Sequence, residues 1–145
     1  MGLGQEHVGV AVEQTLIGVD PGEKRIGLAV KPAGQTGGVP LRVVEPGPDF
    51  YTLVTKLADQ YDADTVVVGL PRYINGNDTA QTAKARAFAG ELAEATGLHI
   101  LMHDEFSTSE RARERLKPTT REQEKRELDA VAAAILLEDY IESMV

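Results

Sequence analysis

The 145-residue chain has no cysteine and no tryptophan, and only three Phe and four Tyr. Without cysteine there is no disulfide scaffold, no thiol nucleophile and no thiolate zinc site. Serine is scarce as well: Ser107, Ser109 and Ser143 are the only ones, and none sits in the G-x-S-x-G elbow of a serine hydrolase. The longest apolar run, Ala130–Leu137, is eight residues, far short of the roughly 18 that span a bilayer. The first Lys or Arg is Lys24, so no charged n-region leads an apolar stretch and no secretory leader is expected. No G-x-G-x-x-G occurs, and Gly22 and Gly27 have P-loop spacing but are followed by Leu28 where a lysine is needed. These absences predict a cytoplasmic protein with no membrane partner.

What is present is ordinary for a globular domain: 42% apolar and 26% charged residues. A chain of this size can bury roughly 70% of its exposable surface, enough for one core. Residues 1–14 read as a flexible extension and 15–145 as one domain, with no internal repeat, low-complexity tract or linker. Fifteen Lys and Arg against 23 Asp and Glu give a net charge of −8, which argues at first against a nucleic-acid partner. The charge is uneven, however. Residues 111–126 hold seven basic and three acidic side chains, +4 locally, which leaves −12 elsewhere. Such a segment is either a solvated helical surface or a basic edge.

Hydrophobic patterning predicts three strands, Thr15–Asp20, Arg25–Val30 and Val39–Glu45, the first two joined by a Pro21-Gly22 turn. Asp49 is expected to cap a helix with Phe50, Leu53, Val54, Leu57 and Tyr61 on one face. Thr65–Leu70 is an unbroken β-branched run of the kind covered on both faces. Asp78 and Gln81 resemble a capping box for a helix that Gly97 stops. Leu98–His103 is a fifth strand, and Ser107 with Glu110 opens a short basic helix ending before Pro118. Residues 119–127 are polar, and the final helix runs to about Met144. The order βββαβαβαα implies an α/β fold with a mixed five-stranded sheet flanked by helices.

Acidic residues punctuate this pattern. Asp20 closes the first strand, where its carboxylate either projects at the sheet edge or merely caps the turn. Asp104 and Glu105 end the fifth strand on opposite faces. Asp129 precedes AVAAAILL, apolar on every side and so the mark of a buried helix. A carboxylate there either meets a partner, because burial unpaired is costly, or simply favours the helix N-terminus. Three such acids would form an oxygen-only cluster suited to Mg²⁺ or Mn²⁺, and two ions about 3.5–4 Å apart can drive phosphodiester hydrolysis. His99 and His103 offer no rival site, since four strand residues separate them by roughly 13 Å, too far for one zinc ion.

Four blocks, DPGEKRIGLAV (20–30), VVVGLPRYING (66–76), DEFSTSERARERL (104–116) and LDAVAAAILLEDYI (128–141), resemble the YqgF (RuvX-like) family of RNase H-like nucleases in family order. The resemblance implies an RNase H-like fold with Asp20, Glu105 and Asp129 as catalytic carboxylates binding Mg²⁺ or Mn²⁺, two ions in all, and makes Glu105 rather than Asp104 the inward residue. It implies hydrolysis of RNA in maturation of the precursor of 16S ribosomal RNA, with Holliday-junction DNA resolution or non-catalytic RNA binding in ribosome assembly as alternatives, and a monomer or homodimer. Branched or single-stranded DNA is the alternative ligand. DPGEKRIG also looks like the phosphate loop of actin-like sugar kinases, which require a second lobe.

Lys24, Arg25 and Arg72, in loops beside this cluster, are candidate phosphate contacts. Ser107 and Thr108 are further candidates, although Ser107 serves equally as a helix cap. Tyr73 either stacks on an unpaired base or packs within its loop. The chain departs from the family pattern at Phe106, where Arg is common, at Lys31-Pro32, where Ser-Asp is frequent, and at Tyr73, where Asn is frequent. None of these removes a proposed catalytic carboxylate; they bear on substrate contact.

Overall fold

The computed structural model describes residues 11–106, 112, 114, 115 and 121–144, with residues 121–126 described through their backbone alone. Five strands and three long helices are seen: β1 (Leu16–Asp20), β2 (Ile26–Lys31), β3 (Val39–Val44), α1 (Asp49–Gln60), β4 (Thr65–Pro71), α2 (Thr82–Thr96), β5 (His99–Glu105) and α3 (Arg121–Glu142). The expected basic helix after β5 falls largely outside the described residues, but Ala112, Glu114 and Arg115 are helical. The expected sheet is present, in the order β3-β2-β1-β4-β5. β1 pairs antiparallel with β2 and parallel with β4, and β4 pairs parallel with β5. The parallel trio brings the C-terminal ends of β1, β4 and β5 to one edge.

Register divides the side chains between two faces. Ile17 and Val19 of β1, with Val66 and Val68 of β4, pack against Phe50 and Val54 of α1 and Leu92 of α2. On the other face Leu16 and Val67 meet the buried residues Ala133, Ala134, Leu136 and Leu137 of α3. Burying side chains such as these contributes about 1.5–3 kcal/mol each for Val or Leu. The run TVVVGL is covered on both faces, as its lack of alternation requires.

The α3 face of the sheet is paved with small residues. A Cβ on Gly18 would lie 2.7 Å from Leu137 Cγ, and one on Gly27 would lie 1.9 Å from the carbonyl oxygen of Asp129. The alanine-rich stretch after Asp129 therefore sits almost on the sheet backbone, and Asp129 enters at a fixed height above β2.

Several local expectations are corrected. Asp49 is the first residue of α1 rather than its cap; Pro48 takes that position, without a side-chain hydrogen bond, and Asp49 acts through its charge on the helix dipole. Asp78 caps nothing, because α2 starts later, with Gln81 as the flanking residue, and the Asp78 carboxylate accepts from Arg72 and Arg86. Thr82 Oγ1 instead donates to the Pro71 carbonyl at 2.6 Å, pinning the start of α2 to the end of β4. Gly97 closes α2 with φ 69°, as expected. β5 extends through Asp104 and Glu105, and α3 begins within the polar stretch. Of the expected extension, residues 1–10 lie outside the described residues, whereas Ala11 is buried against α3.

Lys31 explains that burial. It is fully enclosed at the end of β2, opposite Leu16 in register, and its ammonium donates to the carbonyls of Val12 at 2.7 Å, Pro32 at 3.0 Å and Gln14. The departure from the family pattern at Lys31 thus tethers the chain before β1, at the opposite end of β1 from Asp20.

Candidate active site

Asp20 ends β1, Glu105 ends β5 and Asp129 lies near the start of the buried part of α3. All three line a cleft of about 560 Å³ at the edge where the parallel strands end. Asp20 projects there because the chain turns sharply afterwards: a Cβ on Gly22 would come 2.4 Å from the Arg25 carbonyl. Glu105 reaches inward across β4, where Gly69 supplies the space; a Cβ there would lie 2.5 Å from Glu105 Oε2.

The electrostatics follow from this crowding. Asp20 and Glu105 share a hydrogen bond between their carboxyl groups. Burial pushes the Asp20 carboxyl up to about 6; the Glu105 hydrogen bond opposes this and the negative charge of Asp129 adds to it. Asp129 is turned toward a cation, its Oδ2 accepting from Arg25 Nε at 3.0 Å.

Two carboxyl groups brought together in one buried corner are the donor chemistry a hard divalent cation suits, because the ion can relieve their repulsion. Asp20 and Glu105 therefore fit such an ion, and Asp129 is the available third oxygen ligand. As the side chains stand, no group of three acids or histidines encloses a cation position among the described residues, and Asp129 is engaged by Arg25.

The remaining candidates separate. Lys24 and Arg25 line the cleft. Arg72 does not: it donates to Asp104 Oδ1 at 2.8 Å, Asp78 Oδ1 at 2.7 Å and the Gly76 carbonyl at 3.0 Å, so it organises its own loop. Asp104 is thereby held outside the cleft, and the inward carboxylate of the pair is Glu105. Tyr73 is 58% exposed and Ile74 is 87% exposed at the tip of that loop. Phe106 is partly exposed just beyond β5. Ser107 and Thr108 lie outside the described residues. Of the basic segment, Arg115 pairs with Glu138 of α3. His103 packs edge-to-face on Tyr140, with ring centroids 5.7 Å apart.

The cleft also contains side chains that motif reading passed over. Gln81, Lys84, Ala85 and Phe88 form one wall, and Lys84 Nζ donates to Glu23 Oε1 at 2.6 Å across the mouth. Lys84 and Gln81 hold the Glu23 carboxyl below its usual range. The signal was available: 81, 84, 85 and 88 are spaced to share one face of a helix.

Comparison with known proteins agrees with this architecture. The RuvX family profile, described as Holliday junction resolvase, matches residues 14–143. A protein of Orientia tsutsugamushi is 32% identical over 136 residues, covering 92% of this chain and 87% of its own. One of Cronobacter sakazakii is 34% identical over 132 residues, covering 88% and 96%. Both bear the provisional name pre-16S rRNA nuclease. Among solved structures, RuvC of Thermus thermophilus in complex with Holliday junction substrate superposes with a TM-score of 0.53 at 17% identity, covering 90% of this chain and 94% of that one. Fowlpox virus resolvase with its substrate Holliday junction DNA gives 0.51 at 12% identity, covering 91% and 99%. These two likenesses establish the RNase H-like fold that the motifs implied. Matched by its profile over nearly all its length and by relatives at more than 30% identity, the chain belongs to the RuvX family of RNase H-like nucleases.

Proposed function

We propose that the protein is a divalent-metal-dependent nuclease that hydrolyses phosphodiester bonds of RNA, with the precursor of 16S ribosomal RNA as its substrate and the cytoplasm as its place of work. The observation that carries this reading is the meeting of Asp20 with Glu105, and of both with Asp129, in one cleft. Asp20, Glu105 and Asp129 would hold Mg²⁺ or Mn²⁺, two ions serving best. Bound there, the ions supply positive charge at the scissile phosphate and acidify water. Lys24 and Lys84 line the same cleft and would orient the phosphate backbone, leaving the acids to the reacting group.

The choice of RNA follows the relatives. Those at 32% and 34% identity are named for a ribosomal RNA precursor, whereas the junction-bound structures are 12–17% identical and speak for fold alone. No helix among the described residues is long and apolar enough to cross a membrane.

The test is cleavage of labelled precursor 16S RNA in Mg²⁺ or Mn²⁺ by the whole chain and by Asp20→Asn and Asp129→Asn. Each variant should lose activity by roughly 10²–10⁴-fold, the scale expected when a group acting at the reacting centre is removed. Undiminished cleavage by either variant overturns the assignment of these acids. Faster cutting of a four-way DNA junction than of RNA would make the chain a resolvase, and tight RNA binding without turnover in either ion would make it an assembly factor.

A further inference from the structure

The cleft holds three cationic side chains, Lys24, Arg25 and Lys84, and one of them touches an acid of the proposed catalytic set. Arg25 meets Asp129 through a single donor, Nε to Oδ2 at 3.0 Å, and the two side chains are 46% and 27% exposed. Backbone packing fixes the ground on which this pair stands. The carbonyl of Asp129 sits where a Cβ of residue 27 would be, so the α3 backbone cannot slide there, and the Gly22 turn folds the chain back immediately before Arg25. Asp129 and Arg25 can therefore change partners only by rotating their side chains, a movement that takes picoseconds to nanoseconds at exposed positions.

We propose that Arg25 is a built-in competitor for the divalent cation: it occupies the Asp129 carboxylate until an ion displaces it, and is then released to the substrate backbone. This rests on the metal-dependent reading above. The contact has the properties such a latch needs. A half-exposed ion pair with one hydrogen bond contributes little net stability, so an ion of twice the charge can replace it, and a guanidinium freed at the cleft is well shaped for a phosphate.

The test uses the full chain without RNA and measures Mn²⁺ binding by titration calorimetry, so it does not depend on any nucleic acid. Arg25→Met should bind Mn²⁺ roughly two- to five-fold more tightly than the parent, the range expected for removing a weak competing pair. Lys24→Met takes the same charge from the same turn but leaves Asp129 paired, and should change the affinity less than two-fold. Adding Asp129→Asn to Arg25→Met should abolish the gain. Equal or weaker binding by Arg25→Met, with the parent binding normally, overturns the latch and leaves the proposed function standing. Equal gains in the Arg25 and Lys24 variants would show a general field effect and also overturn it. If neither parent nor variants bind Mn²⁺, the latch and the metal dependence fall together.

Discussion

Arg72 Nε lies 2.8 Å from Asp104 Oδ1, and this contact gives the two consecutive carboxylates at the end of β5 different work. Asp104 is tied to the loop that follows β4, and Glu105 is left to enter the cleft. Arg72→Ala would strand Asp104 and the Gly76 carbonyl and leave Asp78 with Arg86 alone. Because these partners are largely solvated, the expected loss is about 1 kcal/mol, read from urea unfolding at pH 7. Hydrogen exchange should quicken at residues 73–78 while the sheet is unaffected.

The raised Asp20 carboxyl makes stability depend on pH in a defined direction. Its pKa is 3.8 in a solvated reference and about 6 in the fold, so between those values the folded chain binds more protons than the unfolded one. Stability contributed by the protonated form is complete below about 4 and is lost as pH rises through 6. Asp20→Asn should therefore be more stable than the parent at pH 7.5, by about 1–3 kcal/mol, and near parity at pH 4. A thermal melt at the two pH values checks this, and stabilisation accompanied by loss of cleavage would set the cost of the carboxylate against its use.

Gly69→Ala separates folding from site geometry. The added methyl would meet the end of the Glu105 side chain, with Oε2 at 2.5 Å and Cδ at 3.2 Å; a flexible carboxylate can move where backbone cannot. Alanine also suits a strand better than glycine by about 0.5–1 kcal/mol. The variant should keep its melting temperature within a few degrees while cleavage falls at least ten-fold. A large drop in stability with activity retained would show that the strand, not Glu105, gave way.

How far the sequence anticipated this can be followed at individual residues. Strand assignments came through because TVVVGL, TLIGVD and RIGLAV carry their burial in composition. The acids on β1, β5 and α3 were recognisable because each interrupts an apolar element at its end. Helix starts were less readable: Pro48 and Gln81 displaced Asp49 and Asp78, since φ preference and the Thr79–Thr82 hydrogen bonds outweighed side-chain capping. Arg72 was misplaced for another reason. A loop arginine looks identical in sequence whether it meets a phosphate or its own neighbours, and only the Arg72–Asp78 bridge across the loop separates the two. Lys84 escaped because its cleft is assembled from elements far apart in the chain.

Lys84 gives the last prediction. Its present partner, Glu23, lies at the cleft mouth and is solvated, so a phosphate can take its place at small cost. Lys84→Ala should weaken RNA binding at low salt and reduce the slope of log affinity against log salt by about one unit. Binding measured across a salt series checks this, and an unchanged slope would confine Lys84 to the Glu23 pair.

The close seating of α3 on Gly18 and Gly27 reaches beyond packing. Two of the proposed ligands ride on the sheet and the third on a helix clamped to it, so any ion held by all three becomes a cross-link between parts of the chain that are otherwise joined mainly by apolar contact. Ion occupancy and helix docking are then thermodynamically linked, each strengthening the other by the same free energy. A saturating divalent ion should slow amide exchange along α3 as far as its last turn at Glu142, about 20 Å along the helix from Asp129 at ~1.5 Å per residue, turning a local coordination event into a clasp on the whole domain.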